Sequence, residues 1–315
     1  MGVDPSVVVL CGGVGAARFL EGLVRVVDPE TVTAIVNVAD DADFHSLHVS
    51  PDVDTVIYTL AGIVDAKQGW GLRDDTHVVQ AALARLGRDT WFQLGDGDIA
   101  THLHRTAMLR EGVPLSEITA RLARSFGVRS RILPSSDERQ ATMVRTDSGW
   151  LAFQEYFVRR GQQDTVREVR FDGASRPAPG VIDAILAARV VLLAPSNPIV
   201  SIGPILALDG VRSALSRTPA PIVAISPIVG GEALKGPAAA MLASLGHEVS
   251  PAGVARLYAD FLDVMVLDER DAALASRVES AGARAVVAPT IMTDLSAKER
   301  LARIAIDAAG ARAGA

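Results

Sequence analysis

Six short runs along the chain are apolar and rich in β-branched residues: Val7–Leu10, Val32–Val38, Val190–Ala194, Ile222–Ile225, Val264–Leu267 and Ala285–Ala288. Each is continuous instead of alternating, the pattern of a strand buried on both faces, so they predict a parallel sheet covered by helices. Between them, apolar residues recur at helical spacing over roughly 15–27, 54–64, 77–86, 99–111, 115–126, 181–188, 202–216, 237–245, 252–261, 271–281 and 295–309. Alternating strands and helices predict an α/β fold, Rossmann-like and doubly wound, with a mainly parallel sheet.

The middle of the chain breaks that rhythm. Thr142–Arg145, Leu151–Arg159 and Val166–Phe171 alternate or cluster in β fashion around the turn Asp147-Ser148-Gly149, which predicts an antiparallel hairpin. With the helical stretch before it, this gives a helical and β-hairpin subdomain at 100–178, inserted into a Rossmann-like core made of 1–99 and 179–315. The small residues of Ala308–Ala315 predict a frayed end.

With 315 residues and 49% hydrophobic composition, the chain can bury a large core without staples. A net charge of −6 argues against holding nucleic acid by bulk electrostatics. The single cysteine, Cys11, forbids an intrachain disulfide, and a reducing cytoplasm is the expected setting. The uncharged run Val190 to Leu208 contains Pro195, Pro198 and Pro204, so it predicts a strand and loop and no membrane partner. Met1, Gly2 and Ser6 fit a loose N-myristoylation pattern, but a strand begins at Val7, and neither an anchor nor a secretory leader is expected.

Chemistry concentrates in the loops after the strands. The first strand runs into Gly12-Gly13-Val14-Gly15, where glycines admit a phosphate to a helix N-terminus, although the spacing is neither a full dinucleotide fingerprint nor a Walker motif. After the second strand come Asp40, Asp41, Asp43, Asp52 and Asp54, five carboxylates within fifteen residues. Such density suits a hard divalent cation, and Mg2+ would also relieve repulsion of an anionic substrate. His45 and His48 in the same loop make only a weak zinc set, and His102 and His104, two apart on a helix, face different ways. Trp70, between Gly69 and Gly71, offers a stacking wall for a flat ring. Trp91–Leu94 looks strand-like and leads into Gly95-Asp96-Gly97-Asp98, with Asp98 a candidate N-cap. Ser196 and Asn197 lie in a proline-rich loop after the strand at 190–194, and Pro134–Arg139 is a further polar loop.

Taken in order, GGVGAARFLEG, VNVADDADFHSLHVSPDVDTVIYTLAG, GWGLRDDT, WFQLGDGDIATHLHRT, LPSSDER and LLAPSNPIVSIGPIL resemble the 2-phospho-L-lactate transferase family of deazaflavin coenzyme F-420 biosynthesis. The likeness spans essentially the whole chain, and the actinobacterial members are the best match. It implies transfer of a phosphoenolpyruvyl or 2-phospho-L-lactyl group from a guanosine-diphospho donor to the ribityl hydroxyl of the deazaflavin Fo, with release of GMP. Mg2+ as cofactor and a cytoplasmic homodimer are implied as well. By motif, Asp54 is the catalytic carboxylate that contacts the acceptor, positioning the metal or the hydroxyl or acting as base, and Gln93 is a second acceptor contact; Trp70 is the expected wall for the acceptor ring. Gly12, Gly13, Gly15, Ser196 and Asn197 surround the donor, and Asp40 and Asp54 hold the metal. Gly97 departs from the family, whose members commonly carry arginine there. Two other readings stay open: a nucleotide-sugar-binding regulatory protein of the same superfamily, and an NAD(P)-dependent oxidoreductase.

Overall fold

The computed structural model describes residues 7–173, 176–234 and 236–310. The N-terminal Met1–Ser6 pattern and the tail beyond Gly310 lie outside the described residues. In chain order the strands are β1 (Val7–Cys11), β2 (Val32–Val36), the short pair β3 (Ala42–Phe44) and β4 (Leu47–Val49), and β5 (Arg131–Pro134). They continue with β6 (Gln140–Thr146), β7 (Gly149–Ala152), β8 (Glu168–Gly173), β9 (Val190–Leu193), β10 (Ile222–Ile225), β11 (Ile228–Val229), β12 (Glu232–Ala233), β13 (Val264–Asp268) and β14 (Arg284–Ala288).

Seven of these form one sheet in the order β14-β13-β10-β9-β1-β2-β5. Every neighbouring pair in it is parallel. This is the doubly wound arrangement: the chain starts at the centre, builds outward through β2 and β5, then returns to the other side of β1. The reason for the unbroken apolar runs is visible in β1. Val7, Val9 and Cys11 enter the core on one face; Val8 and Leu10 enter the core on the other.

The first five helices are α1 (Gly13–Val26), α2 (Pro51–Leu60), α3 (Val78–Arg85), α4 (Asp96–Arg110) and α5 (Leu115–Ser125). The C-terminal helix Leu295–Gly310 crosses α1 so closely that a Cβ on Gly22 would lie 2.4 Å from the backbone of Lys298. Glycine there is a packing requirement.

All six expected strands are present, and the antiparallel sheet β7-β6-β8 supplies the expected hairpin. Four elements differ from expectation. The β stretch expected over Leu151–Arg159 ends at Ala152 and passes into a π-helical turn at Glu155–Arg159. β5, inside the stretch 100–178, joins the central sheet as its edge, where Pro134 can be tolerated because no further strand needs its missing N–H. The helix expected over 202–216 is broken: a π-helical turn at Pro198–Ile202 and the short helix Gly203–Leu206 meet Val211–Arg217 at 85°. Gly210, at φ +79°, makes that corner. The strand-like piece Trp91–Leu94 is a loop, its aromatic rings satisfied by Phe44, which stacks on Phe92 at 3.9 Å and meets Trp91 edge-on at 5.3 Å. Among the described residues no single helix is long and apolar enough to cross a membrane.

Candidate active site at the switch point of the sheet

Strand order reverses between β1 and β9, and in open α/β sheets the crevice at that point, beyond the carboxyl ends of the strands, receives the ligand. The two loops that flank it touch. Gly12 N–H donates to Ser196 Oγ at 3.2 Å, and Ser196 Oγ donates to the Gly12 carbonyl at 2.9 Å. A Cβ on Gly15 would sit 2.7 Å from the Pro195 carbonyl oxygen. Gly13 has φ +76°, which favours glycine. Four of the five expected donor residues therefore converge on one spot. The fifth, Asn197, lies in the same loop but spends its Oδ1 on the N–H groups of Ile199 (2.9 Å) and Val200 (3.4 Å), locking its own turn.

A second polar set closes the crevice from β2. Asn37 follows that strand, donates its N–H to the Cys11 carbonyl at 3.0 Å and is fully buried. Its Nδ2 donates to Asp40 Oδ2 at 3.1 Å and to Asp52 Oδ2 at 3.0 Å. The nearby Gly13 N–H favours the charged form of Asp52. A carboxylate of the chain thus occupies the N-terminus of α1, and a Cβ on Gly12 would be 2.7 Å from its Oδ2. Burial, only partly offset by Asn37 and Gly13, pushes Asp52 up to about 6. Burial and the charge of Asp52 raise Asp40 well above the usual carboxylate range, and its Oδ1 has no hydrogen-bond partner.

Asp54 belongs to a different set. Asp52 and Asp54 are two apart on α2, which sends their side chains to different faces of that helix. Asp54 meets α4, where the fully buried Arg105 donates Nη1 to its Oδ2 at 3.1 Å and Nη2 to its Oδ1. Arg105 Nη1 also lies 3.2 Å from His102 Nδ1. A guanidinium offers only donors, so Nδ1 accepts and the ring proton is assigned to Nε2, which lies 3.4 Å from Asp98 Oδ1. Tyr58 from α2 completes the set by donating its hydroxyl to Asp98 Oδ1 at 2.8 Å. Burial works to raise Asp98, but the neighbouring His102 ring, the bond from Tyr58 and the charge of Arg105 outweigh it and hold its carboxyl below the usual range.

Trp70 and Gln93, expected at the acceptor, both lie at the surface. The loop carrying Trp70 packs on the first turn of α1, since a Cβ on Gly69 would touch Val14 Cγ1 at 2.6 Å, and Trp70 itself is 39% exposed. Gln93 is exposed and donates Nε2 to the Thr90 carbonyl at 3.2 Å. Asp98 is not the N-cap of α4: Gly95 is, and Asp75 accepts from the N–H groups of Gly97 (2.8 Å) and Asp98 (3.0 Å) instead. That cap fastens the loop after Trp70 to the start of α4.

The family model described as 2-phospho-L-lactate transferase CofD matches residues 7–305. This chain belongs to that family. A 2-phospho-L-lactate transferase of Methanothermobacter thermautotrophicus is 41% identical over 95% of this chain and 96% of its own length. A phosphoenolpyruvate transferase of Streptomyces avermitilis is 44% identical over 95% of this chain and 97% of its own. One from Mycolicibacterium smegmatis is 41% identical over 97% and 99%. The fold is shared more widely: a crystal structure of a Bacillus halodurans protein superposes with a TM-score of 0.67 at 16% identity, covering 96% of this chain and 100% of that one.

Within this transferase family fold, two donor sets invite a cation. Asp54, Asp98 and His102 each offer a ligand atom within 4.8 Å of the others. The guanidinium of Arg105 already neutralises Asp54 there, and a histidine nitrogen is a poor ligand for Mg2+. Asp40 and Asp52 fit that ion better: both are carboxylates, they are bridged only by a neutral amide, and Asp40 Oδ1 is buried without a partner. The expected pair of Asp40 with Asp54 is thereby divided between two hydrogen-bonded sets. Sequence reasoning singled out neither Asn37 nor Arg105. The signal for the second was present: Asp98, His102 and Arg105 follow each other at spacings of four and three, one face of a helix.

Proposed function

We propose that this protein transfers a phosphoenolpyruvyl or 2-phospho-L-lactyl group from a guanosine-diphospho donor to the ribityl hydroxyl of the deazaflavin Fo. The acceptor oxygen forms a bond to the phosphorus that carries the three-carbon acid, the bond from that phosphorus to GMP breaks, and the hydroxyl proton leaves to solvent. Membership in the family and the names of relatives on both sides, archaeal 2-phospho-L-lactate and actinobacterial phosphoenolpyruvate transferases, support the reaction class. Their near-equal identities give no preference between the two acids.

The observation that carries the reading is the joined pair Gly12 and Ser196 at the switch point, beside the bridged carboxylates of Asp40 and Asp52. Gly12, Gly13, Gly15 and Ser196 hold the diphosphate close to backbone N–H groups, and Asn197 fixes the shape of their loop. Asp40 and Asp52 would hold Mg2+, which when bound offsets charge on the diphosphate and the leaving GMP. The backbone N–H groups at the start of α1 face the same crevice and would meet the diphosphate of the donor. Asp54, clamped by Arg105, positions α2 against α4 and so the acceptor walls at Trp70 and Gln93. Orientation and charge neutralisation do most of the work in such displacements.

In this reading residues 1–99 and 179–315, with β5, form the donor-binding core, and the hairpin within 100–178 closes it. A cytoplasmic setting is supported by Cys11, which is free and buried. A homodimer is supported by the exposed apolar residues Val78, Val79 and Leu86 on and next to α3. The test is direct. Pure protein is incubated with Fo, Mg2+ and a donor generated in place from GTP and either acid, and GMP release is followed with mass detection of the product. An adduct with one acid supports the transferase and names the donor; absence of both GMP and adduct overturns the reading.

A further inference from the structure

The hairpin subdomain reaches the carboxylate pair through two consecutive carbonyls. Thr142 on β6 donates its backbone N–H to the Ala39 carbonyl at 2.7 Å. Gln154, just past β7, donates Nε2 to the Asp40 carbonyl at 3.0 Å, across 114 residues of sequence. A carbonyl only accepts, so the amide presents its nitrogen there. Gln154 is buried and stands at the start of the π-helical turn Glu155–Arg159. Phe153 and Tyr156 beside it pack with Val144 and Leu151 of the subdomain and with Val200 and Met241 of the core. That apolar contact carries the Gln154 side chain to the crevice, and π-helical turns are frequent at functional sites.

Asn37 holds Asp40 from the other side. Its Oδ1 accepts the Ala39 N–H at 3.0 Å, which fixes the orientation of the amide. Nδ2 then faces the acids, 3.1 Å from Asp40 Oδ2 and 3.0 Å from Asp52 Oδ2, with the Val200 carbonyl further off at 3.5 Å. One nitrogen thus ties together carboxylates from two elements. The arrangement depends on the main chain at Ala39 and Asp40, because a shift there moves both the anchor of Asn37 and the Asp40 side chain. We propose that Gln154 is a positioning residue for the transfer: by fixing the Asp40 carbonyl it keeps the Asp40 carboxylate on Asn37 beside Asp52, where a divalent cation is held. The subdomain is then a working part of the cation site as well as its cover. This rests on the placing of Mg2+ at Asp40 and Asp52 in the transferase reading. Groups that orient metal-binding side chains in this way are worth about 10- to 100-fold in affinity.

The test titrates the protein with Mg2+ by calorimetry and with Mn2+ by EPR of the free ion, both without substrates. Gln154→Met keeps the length of the side chain and removes the donor; Asn37→Ser removes the bridging nitrogen. Thermal unfolding in chelator separates folding from cation binding. Gln154→Met weakens both ions roughly tenfold. It raises the Mg2+ needed for half-maximal GMP release to match, while the KM for Fo changes less than twofold. In the double variant the losses are less than additive, because both side chains act through Asp40. Should Asn37→Ser fail to fold, Gln154→Met decides alone. Wild-type affinity for both ions in Gln154→Met, with or without a fall in its unfolding temperature, overturns the proposal, and so do fully additive losses. Absence of Mg2+ binding by wild type overturns it together with the cation site. Wild type that binds Mg2+ but yields neither GMP nor adduct overturns the transferase reading instead, and the cation titrations still decide the role of Gln154.

Discussion

Ser196 Oγ and the backbone of Gly12, 184 residues apart in sequence, exchange hydrogen bonds in both directions, at 3.2 and 2.9 Å. Ser196→Ala removes both and leaves buried backbone groups unpaired, a loss of about 1–3 kcal/mol. Gly12→Ala keeps them but drives a methyl into Asp52 Oδ2, 2.7 Å away, and Ser201 Cβ, 2.9 Å away. Both variants raise the KM for the guanosine-diphospho donor about tenfold or more, measured by GMP release. Unchanged donor KM in both separates these loops from the donor.

The Arg105 and Asp54 pair is buried and bidentate. Arg105→Leu strands the carboxylate and costs about 3–5 kcal/mol, whereas the double variant Asp54→Leu with Arg105→Leu recovers much of it, because an apolar pair carries no desolvation penalty. Urea unfolding of Arg105→Leu, Asp54→Leu and the double variant reads this cycle. Asp54→Asn, which keeps the shape but weakens the clamp, lowers turnover by at least about 100-fold through misplacement of the acceptor side. Wild-type turnover in Asp54→Asn would remove Asp54 from the reaction.

Asp52 titrates near 6, above its ordinary value of 3.8, because it is buried. Between these values the folded chain binds more protons than the unfolded chain, so stability falls as pH rises through that window and levels off above it. Asp40 and Asp41 are shifted in the same direction. Thermal unfolding without metal therefore shows a midpoint that declines from about pH 4 to 6, and Asp52→Asn flattens the decline. At pH 8, millimolar Mg2+ raises the midpoint of wild type and does so less in Asp52→Asn. A Mg2+ response identical in both would place the ion elsewhere.

Trp70 presents an exposed ring beside the first turn of α1. Trp70→Ala weakens Fo by about tenfold, a stacking contribution on the order of 1 kcal/mol, with little change in stability because the side chain packs on no core. Fluorescence titration checks this, and unaltered affinity places the ring of Fo on another wall.

What was legible in the sequence followed from burial on two faces. Runs such as Val7–Leu10 can only be interior strands, and the loops after them had to gather at one edge. β5 escaped because its run is only four residues long, opens on an exposed arginine and ends in proline, although Ile132 and Leu133 enter the core on opposite faces. Trp91-Phe92 imitated a strand because aromatic packing against Phe44 hides apolar surface without a hydrogen-bonded ladder. Composition placed five acids together but not their partition; that depends on Asn37 and Arg105, which approach from other elements. Helical spacing alone could have shown that Asp52 and Asp54 part company.

The position of β1 has a consequence for synthesis. It lies mid-sheet, with Val7 paired to Val32 on one side and to Val190 on the other. During translation the first edge is covered early, but the second stays open until a partner about 180 residues later leaves the ribosome, on the order of 10–40 s at usual elongation rates. Throughout that interval a growing chain exposes an apolar strand edge, the kind of surface that chaperones bind and neighbouring nascent chains can mispair with.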